Sequence, residues 1–295
     1  MDYDVIIIGG SYAGMSAGLQ LARARRKVLV IDAGQRRNRY AAHSHGFLTQ
    51  DGRPPEEIAA AGRAQLIRYA TVQWLDDWVE VAEPIDGGFR IVARQGSAHT
   101  AQRLILAAGV QDELPELPGL AQRWGRHVFH CPYCHGYELE QGNIGVLAVS
   151  AISLHQGLML PDWGATTLFL NDAFEPDAEQ SAHLTARNVQ VERGRVARLD
   201  GEAVDVVMQD GRVFSLAGLF VATRVRPGAL AAQLGCELEE GPLGPYVKAD
   251  FTRATTIPGV FACGDLARPA GSVALAVGDG AMAGAAAHRS LMFGL

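Results

Sequence analysis

The chain has 295 residues, a formal net charge of −6, 48% hydrophobic and 20% charged residues, and 34 glycines. That is enough apolar mass for one large domain or two ordinary ones with many tight turns, which excludes a small stapled module and argues against intrinsic disorder. With no basic surplus, nucleic acid is a poor partner. Apolar runs such as 5–8 and 216–222 are too short to cross a bilayer, and residues 1–4 carry no cationic leader, so the expectation is a cytoplasmic protein without a membrane partner.

In chain order, residues 4–8 form a β-branched run suited to a strand buried on both faces. The glycine-rich turn 9–14 then leads into an apolar helical stripe through Met15, Leu19 and Ala22. Residues 27–31 predict a second strand ending at Asp32, which gives a right-handed βαβ unit with an acid at its far end. Pro54-Pro55-Glu56-Glu57 predicts a helix start running to about Tyr69, because proline fits the first turn and acids complement the helix dipole there. Strands over 78–82 and 89–93 flank a turn at 86–88 as a hairpin, and 104–106 returns to the parallel sheet.

The order then repeats, with a strand over 144–147, a small-residue turn, a helix from about Ile152, a strand over 166–170 and hairpin turns at 200–201 and 210–211. The C-terminal stretch again reads strand, Gly264-Asp265, helix. The predicted fold is α/β with two Rossmann-like domains, the second inserted into the first. Residues 1–115 and 246–295 form one domain and 116–245 the other, joined at 113–119 and 241–245. Trp74, Trp78 and Trp163 are interface anchors or core aromatics, with core favoured for at least two.

A dinucleotide fold needs glycine where the chain turns, a small residue where backbone meets pyrophosphate, and glycine where helix packs on strand. Gly9, Ser11 and Gly14 occupy those places, and Asp32 stands where ribose hydroxyls would lie. A bare tight turn or an NAD-dependent dehydrogenase competes for that motif taken alone. Of four cysteines, Cys131 and Cys134 stand close together, whereas Cys236 and Cys263 are isolated and read as small buried hydrophobes. A close pair in a reducing compartment is a redox dithiol or a metal clip. His130 and His135 adjoin the cysteines, which strains tetrahedral zinc ligation, so no metal is expected. A redox site must lower a thiol pKa with a cation or a helix N-terminus, and Pro132 and His135 suit those needs.

Two further segments make the set specific: Ala107-Ala108-Gly109, and the run from Thr255 to Asp265 that ends Phe261-Ala262-Cys263-Gly264-Asp265. With them the chain resembles, over essentially its whole length, the low-molecular-weight thioredoxin reductase family of flavoproteins. The resemblance implies FAD, held around Gly9, Ser11, Gly14, Asp32, Ala107, Gly109 and Gly264, with Asp265 on the ribityl chain and the N–H groups of Ser272 and Val273 at the pyrimidine edge. It further implies that Cys134 faces the flavin and Cys131 exchanges with substrate. His135 stands where the reductases carry an acid, and an imidazole titrating near neutral pH would serve as base, oriented by Glu138. A homodimer is implied by the family alone.

The second glycine turn departs from the family pattern. It reads Ala148-Val149-Ser150-Ala151-Ile152-Ser153, with no glycine at its three positions, and Asn171-Asp172-Ala173-Phe174-Glu175 stands where basic residues would grip a ribose phosphate. Reduced pyridine nucleotide should bind badly there, so electrons are expected to run from thiols to flavin. The motif His130-Cys-Pro-Tyr-Cys-His-Gly-Tyr-Glu138, with Asn38 and Ser44-His45-Gly46 upstream, resembles the dithiol oxidases that form disulfides in natural products such as gliotoxin, holomycin and romidepsin-type depsipeptides. That resemblance implies a small-molecule dithiol substrate and O2 as acceptor, with NAD(P)+ as the other candidate. It also implies a cleft lined by His45, His130, Tyr133 and Glu138; with no nicotinamide to admit, a domain swing loses its purpose and the dithiol is expected to rest beside the flavin. A reductase driven by NAD(P)H or another donor, and a non-catalytic redox sensor, are the competing readings.

Overall fold

The computed structural model describes residues 1–294. Its first sheet grows from β1 (Tyr3–Ile8), where alternate residues face opposite cores: Ile6 and Ile8 pack on one side, Val5 and Ile7 on the other. After β1 come α1 (Tyr12–Arg23), β2 (Val28–Asp32), α2 (Pro55–Leu66), β3 (Val72–Asp76), β4 (Val79–Ile85), β5 (Gly88–Ala93), β6 (Ala98–Leu106) and β7 (Val110–Glu113). Strand order is β3-β2-β1-β6-β5-β4, with β1 parallel to β2 and β6, and β4 and β5 antiparallel. The predicted hairpin is present, and the predicted strand 104–106 is the end of a nine-residue strand. The predicted helix from Pro54 stops at Leu66, three residues early, because a turn at Tyr69 feeds β3, whose half-polar Val-Gln-Trp-Leu-Asp gives a weak strand signal.

The second sheet begins after α3 (Leu120–Arg123) and comprises β8 (Val128–Phe129), then, past α4 (Pro132–His135), β9 (Gln141–Leu147), α5 (Ser153–Met159), β10 (Gly164–Phe169), α6 (Ala178–Ala186) and β11 (Gln190–Glu192). A meander of β12 (Val196–Asp200), β13 (Val204–Met208) and β14 (Val213–Leu216) precedes β15 (Gly218–Val221) and β16 (Arg224–Pro227). The parallel order is β11-β10-β9-β15-β8, and both sequence-predicted turns lie within the meander. β16 pairs antiparallel with β7, so the chain leaves and re-enters the first unit side by side. The fold is the α/β arrangement expected, one Rossmann-like unit inserted in another.

The return path runs through α7 (Leu230–Gln233), β17 (Leu238–Gly241), β18 (Gly244–Val247), β19 (Val260–Ala262), which joins β6 in parallel, and α8 (Val273–Phe293). Ala231, Leu234, Cys236 and Val247 pack in the same core as Ile6 and Leu104, so the stretch 230–247 rests on the first sheet. Trp74 and Trp163 pack half-buried against the cores, whereas Trp78 is exposed. No helix among the described residues is long and apolar enough to cross a membrane.

α8 lies so close along α1 that a Cβ at Gly280 would stand 2.0 Å from the Ala13 carbonyl oxygen, whereas Gly278 on the same helix faces open space. Gly280→Ala should therefore destabilise by about 1–3 kcal/mol through overpacking. Gly278→Ala should stabilise by about 0.5–1 kcal/mol through helix propensity alone. Thermal melts of the two variants check this, and equal shifts would show that the helices do not meet as described.

Candidate active site

The glycine turn after β1 is closed to side chains. A Cβ at Gly9, whose φ is +102°, would meet the Ala107 carbonyl oxygen at 2.4 Å, and one at Gly14 would lie 1.8 Å from the Gly9 carbonyl oxygen. Ser11 precedes α1 without a side-chain capping bond, which leaves the first-turn N–H groups of a twelve-residue helix for an anion. Asp32 accepts a hydrogen bond from the Gly10 N–H at 2.9 Å. Gly9, Ser11, Asp32 and Ala107 line a cavity of about 890 Å³. It continues, through shared walls at Ser11, Arg37 and Ala107, into a second cavity bordered by Gly109, Asp265, Ser272 and Val273. This groove has the small-residue walls, open helix terminus and distal acid that a dinucleotide such as FAD requires. Gly264 stands at the far wall with φ +71°.

At the middle of the groove the Arg37 guanidinium joins two carboxylates. Its Nη1 lies 2.9 Å from Asp265 Oδ2, and its Nη2 and Nε lie 2.6 and 2.9 Å from the Asp112 oxygens, while Thr223 Oγ1 also donates to Asp112 at 2.9 Å. Burial alone would raise the Asp112 carboxyl and lower the Arg37 pKa. The bidentate pairing outweighs both effects, holding Asp112 below the ordinary carboxylate range and Arg37 above its usual value. Neither Arg37 nor Asp112 carries a sequence signal. Arg37 sits in the run Arg36-Arg37-Asn38-Arg39, which reads as a solvated basic loop.

β8 delivers the redox motif to the same groove. Cys131 precedes α4, Pro132 is its first residue, and Cys131 and Cys134 form a disulfide with Cα atoms 5.3 Å apart. Cys134 and His135 line the cavity together with Asp265, Ser272 and Val273. Tyr133 is exposed and meets the Trp163 ring edge-on at 5.4 Å. Behind the motif, Gln156 of α5 donates from Nε2 to the His130 carbonyl at 2.8 Å, a link the sequence does not announce.

The histidines depart from expectation. His135 stacks on Phe129 with ring centroids 4.3 Å apart, and burial, with a smaller push from His45, lowers its pKa to about 4. His130 is half-buried at the cavity wall; burial and the Arg37 charge, opposed by Asp112, lower it to about 3. Neither imidazole therefore titrates near neutral pH. Glu138 does not orient His135: its Oε1 lies 3.3 Å from His45 Nδ1 instead. Asn38 lines the groove and donates to the Tyr12 hydroxyl at 3.1 Å, while its Oδ1 is buried without a partner. Cys263, deeply buried at the groove wall, is pushed up to about 12 by burial, and Cys236 is buried as well.

The second turn, ahead of α5, satisfies itself. Ser153 is fully buried and its Oγ accepts the Val149 N–H at 3.1 Å, while Ala148 is also buried. The acids after β10 are paired, Asp172 with Arg195 at 2.8 Å and Glu175 with Arg193 at 2.7 Å. The negative field expected from the sequence is thus neutralised locally, and these arginines are drawn onto carboxylates.

The sequence model of the pyridine nucleotide-disulphide oxidoreductase family matches residues 3–283. Thioredoxin reductase aclD of Aspergillus oryzae is 31% identical over 309 residues, covering 99% of this chain and 97% of that protein. Among solved structures, an oxidoreductase from Agrobacterium tumefaciens is 58% identical with a TM-score of 0.96, covering 99% of each chain. HlmI is 34% identical with a TM-score of 0.91, covering 98% of this chain and 92% of that one.

The suppressed histidines set an acid limit on stability. An unfolded imidazole binds its proton near its ordinary pKa of 6.5, whereas the folded ones bind only near 4 and 3. Stability is intact above pH 6.5 and falls as pH drops below it, each imidazole adding a slope of up to about 1.4 kcal/mol per pH unit. His135→Asn should flatten the fall of melting temperature between pH 6.5 and 4.5; an unchanged slope would show that His135 is not held neutral.

Proposed function

The chain belongs to the pyridine nucleotide-disulphide oxidoreductase family, and from that premise we propose that it is an FAD-dependent dithiol oxidase that closes an intramolecular disulfide in a small-molecule dithiol, with O2 as final acceptor. The observation that carries the direction is a contrast between two loops. Cys134 opens on the groove that fits the flavin, while the turn that would receive a nicotinamide dinucleotide has given its Val149 N–H to Ser153. The likeness of the motif at 130–138 to natural-product dithiol oxidases supports a small-molecule substrate. On the packing of 230–247, we place the inserted unit between β7 and β16.

In this reading the first substrate thiolate attacks Cys131 Sγ, forming a mixed disulfide and releasing Cys134 as thiolate into the groove. The second substrate thiolate then attacks the substrate sulfur of that mixed disulfide, which closes the product disulfide and frees Cys131. Bound FAD supplies the two-electron acceptor for the reduced pair. His135 lies next to Cys134 in sequence and beside it in the groove wall, and its low basicity keeps it neutral beside the Cys134 thiolate. Asp265, fixed by Arg37, receives the ribityl hydroxyls, and Ser272 and Val273 present N–H groups at the head of α8. Of the residues expected in the cleft, His45 and His130 line the cavity, while Glu138 and Tyr133 stand exposed outside its lining, where the Tyr133–Trp163 edge would offer an apolar contact to a substrate body.

A reductase working from NAD(P)H is the second reading, favoured by the activity in the name of aclD. Rapid anaerobic mixing separates the two. Dithiothreitol should bleach the wild-type flavin and NADPH should not, and Cys134→Ser should abolish bleaching by dithiothreitol. In air the wild type should form peroxide equimolar with dithiol oxidised. Bleaching by NADPH and not by dithiol would overturn the oxidase reading.

A further inference from the structure

We propose that His45, backed by Glu138, is the proton acceptor that ionises the substrate thiol at the Cys131–Cys134 disulfide. The assignment deepens the oxidase reading and rests on it. An aliphatic thiol with an ordinary pKa near 8.5 is mostly protonated at neutral pH, and only the thiolate attacks a disulfide. The reaction therefore needs a base within the cleft. The two histidines that flank the redox pair are poor bases, since burial holds His135 neutral down to about pH 4 and His130 to about pH 3.

His45 differs in its surroundings. It lies on the connection between β2 and α2 and lines the same cavity as Cys134 and His135. The loop that carries it is closed on itself: Ser44 is buried and exchanges backbone bonds with Arg53 and Gly52, and the Gly46 N–H donates to Asp51 at 2.8 Å. The ring is thus held on a fixed backbone, with a side chain only 19% exposed. Its Nδ1 is 3.3 Å from Glu138 Oε1, on the turn that follows the redox helix, and 3.8 Å from Asp51 Oδ1. The Glu138 carboxylate beside Nδ1 favours the proton on that nitrogen, which leaves Nε2 as the lone-pair nitrogen facing a substrate thiol.

The groups facing His45 are the Glu138 and Asp51 carboxylates and the rings of His135 and His43, the latter with ring centroids 6.3 Å away. Both of those rings are cost-free neighbours only while neutral, a condition burial secures for His135. In the balanced step, His45 Nε2 takes the proton from one substrate thiol, and the sulfur forms a bond to Cys131 Sγ as the Cys131–Cys134 bond breaks with its electron pair leaving on Cys134. The second substrate thiol then gives its proton to solvent and closes the ring, Cys131 departs with its electron pair and takes the proton held by His45, and Cys134 is left as thiolate. Substrate is oxidised by two electrons and the cysteine pair is reduced by two.

The test is anaerobic stopped-flow reduction of the flavin in the holoenzyme by dithiothreitol, from pH 6 to 9.5. His45→Gln should slow bleaching about 100-fold at pH 7. The defect should close toward wild type at pH 9.5, where the dithiol ionises unaided. Glu138→Gln, which keeps the side chain's shape and removes the charge, should shift the acid limb of the rate profile to lower pH with a smaller loss. FAD content and visible spectrum confirm that the loop still folds in each variant. A His45→Gln rate equal to wild type at pH 7, or a loss equally large at pH 7 and 9.5, overturns the assignment alone. A wild-type flavin that dithiothreitol fails to reduce at any pH overturns the oxidase reading and this assignment with it.

Discussion

One guanidinium ties the groove to the joint between the two units. Arg37 follows β2, Asp265 follows β19, Asp112 lies on β7, and Thr223 stands just before β16, so a single buried cluster reaches the flavin groove and both strands by which the chain leaves and returns. Removing Arg37 would leave two part-buried carboxylates without their counter-charge. The charges of Arg37 and Asp112 also act on His130, the residue before Cys131, so the cluster reaches the redox motif. Everything inferred about thiol chemistry depends on that placement, because a dithiol held at the groove wall needs no movement to reach the flavin.

The second unit has been put to a related use. Its turn at 148–153 closes on its own backbone through Ser153, and the helix that follows turns Gln156 toward the redox motif, where it holds the His130 carbonyl. The helix that would otherwise sit behind a pyrophosphate thus supports the cysteines. Burial performs the complementary task on the imidazoles: it keeps His130 and His135 neutral beside the disulfide, while His45 lies against the Glu138 carboxylate.

Much of this was legible in the amino-acid order. The β-branched run at 4–8, Gly9, Gly14, Asp32 and the Gly264-Asp265 pair have local causes, such as buried strands, turns closed to a Cβ and a helix start, so local patterns report them. The cysteine pair announces itself by spacing. The partners of the polar side chains were not legible, since Arg37 meets Asp265 across 228 positions and Asp112 across 75. Glu138 illustrates the limit: three residues from His135 in sequence, it faces His45 in space because His135 is stacked away on Phe129. The low basicity of His135 is not legible for the same reason, as enclosure is a property of packing and leaves no mark in a motif.

The account stands or falls on whether the dithiol stays at the flavin. Spin labels at the exposed Glu56 of α2 and Glu179 of α6 allow the distance between the two units to be measured by double electron–electron resonance in the resting, dithiol-reduced and NADPH-treated states. A single distance distribution, the same in all three, is the expected result. A second population that grows with NADPH would mean that the units swing to admit a nicotinamide, and thiols would no longer be the donor that this arrangement of side chains selects.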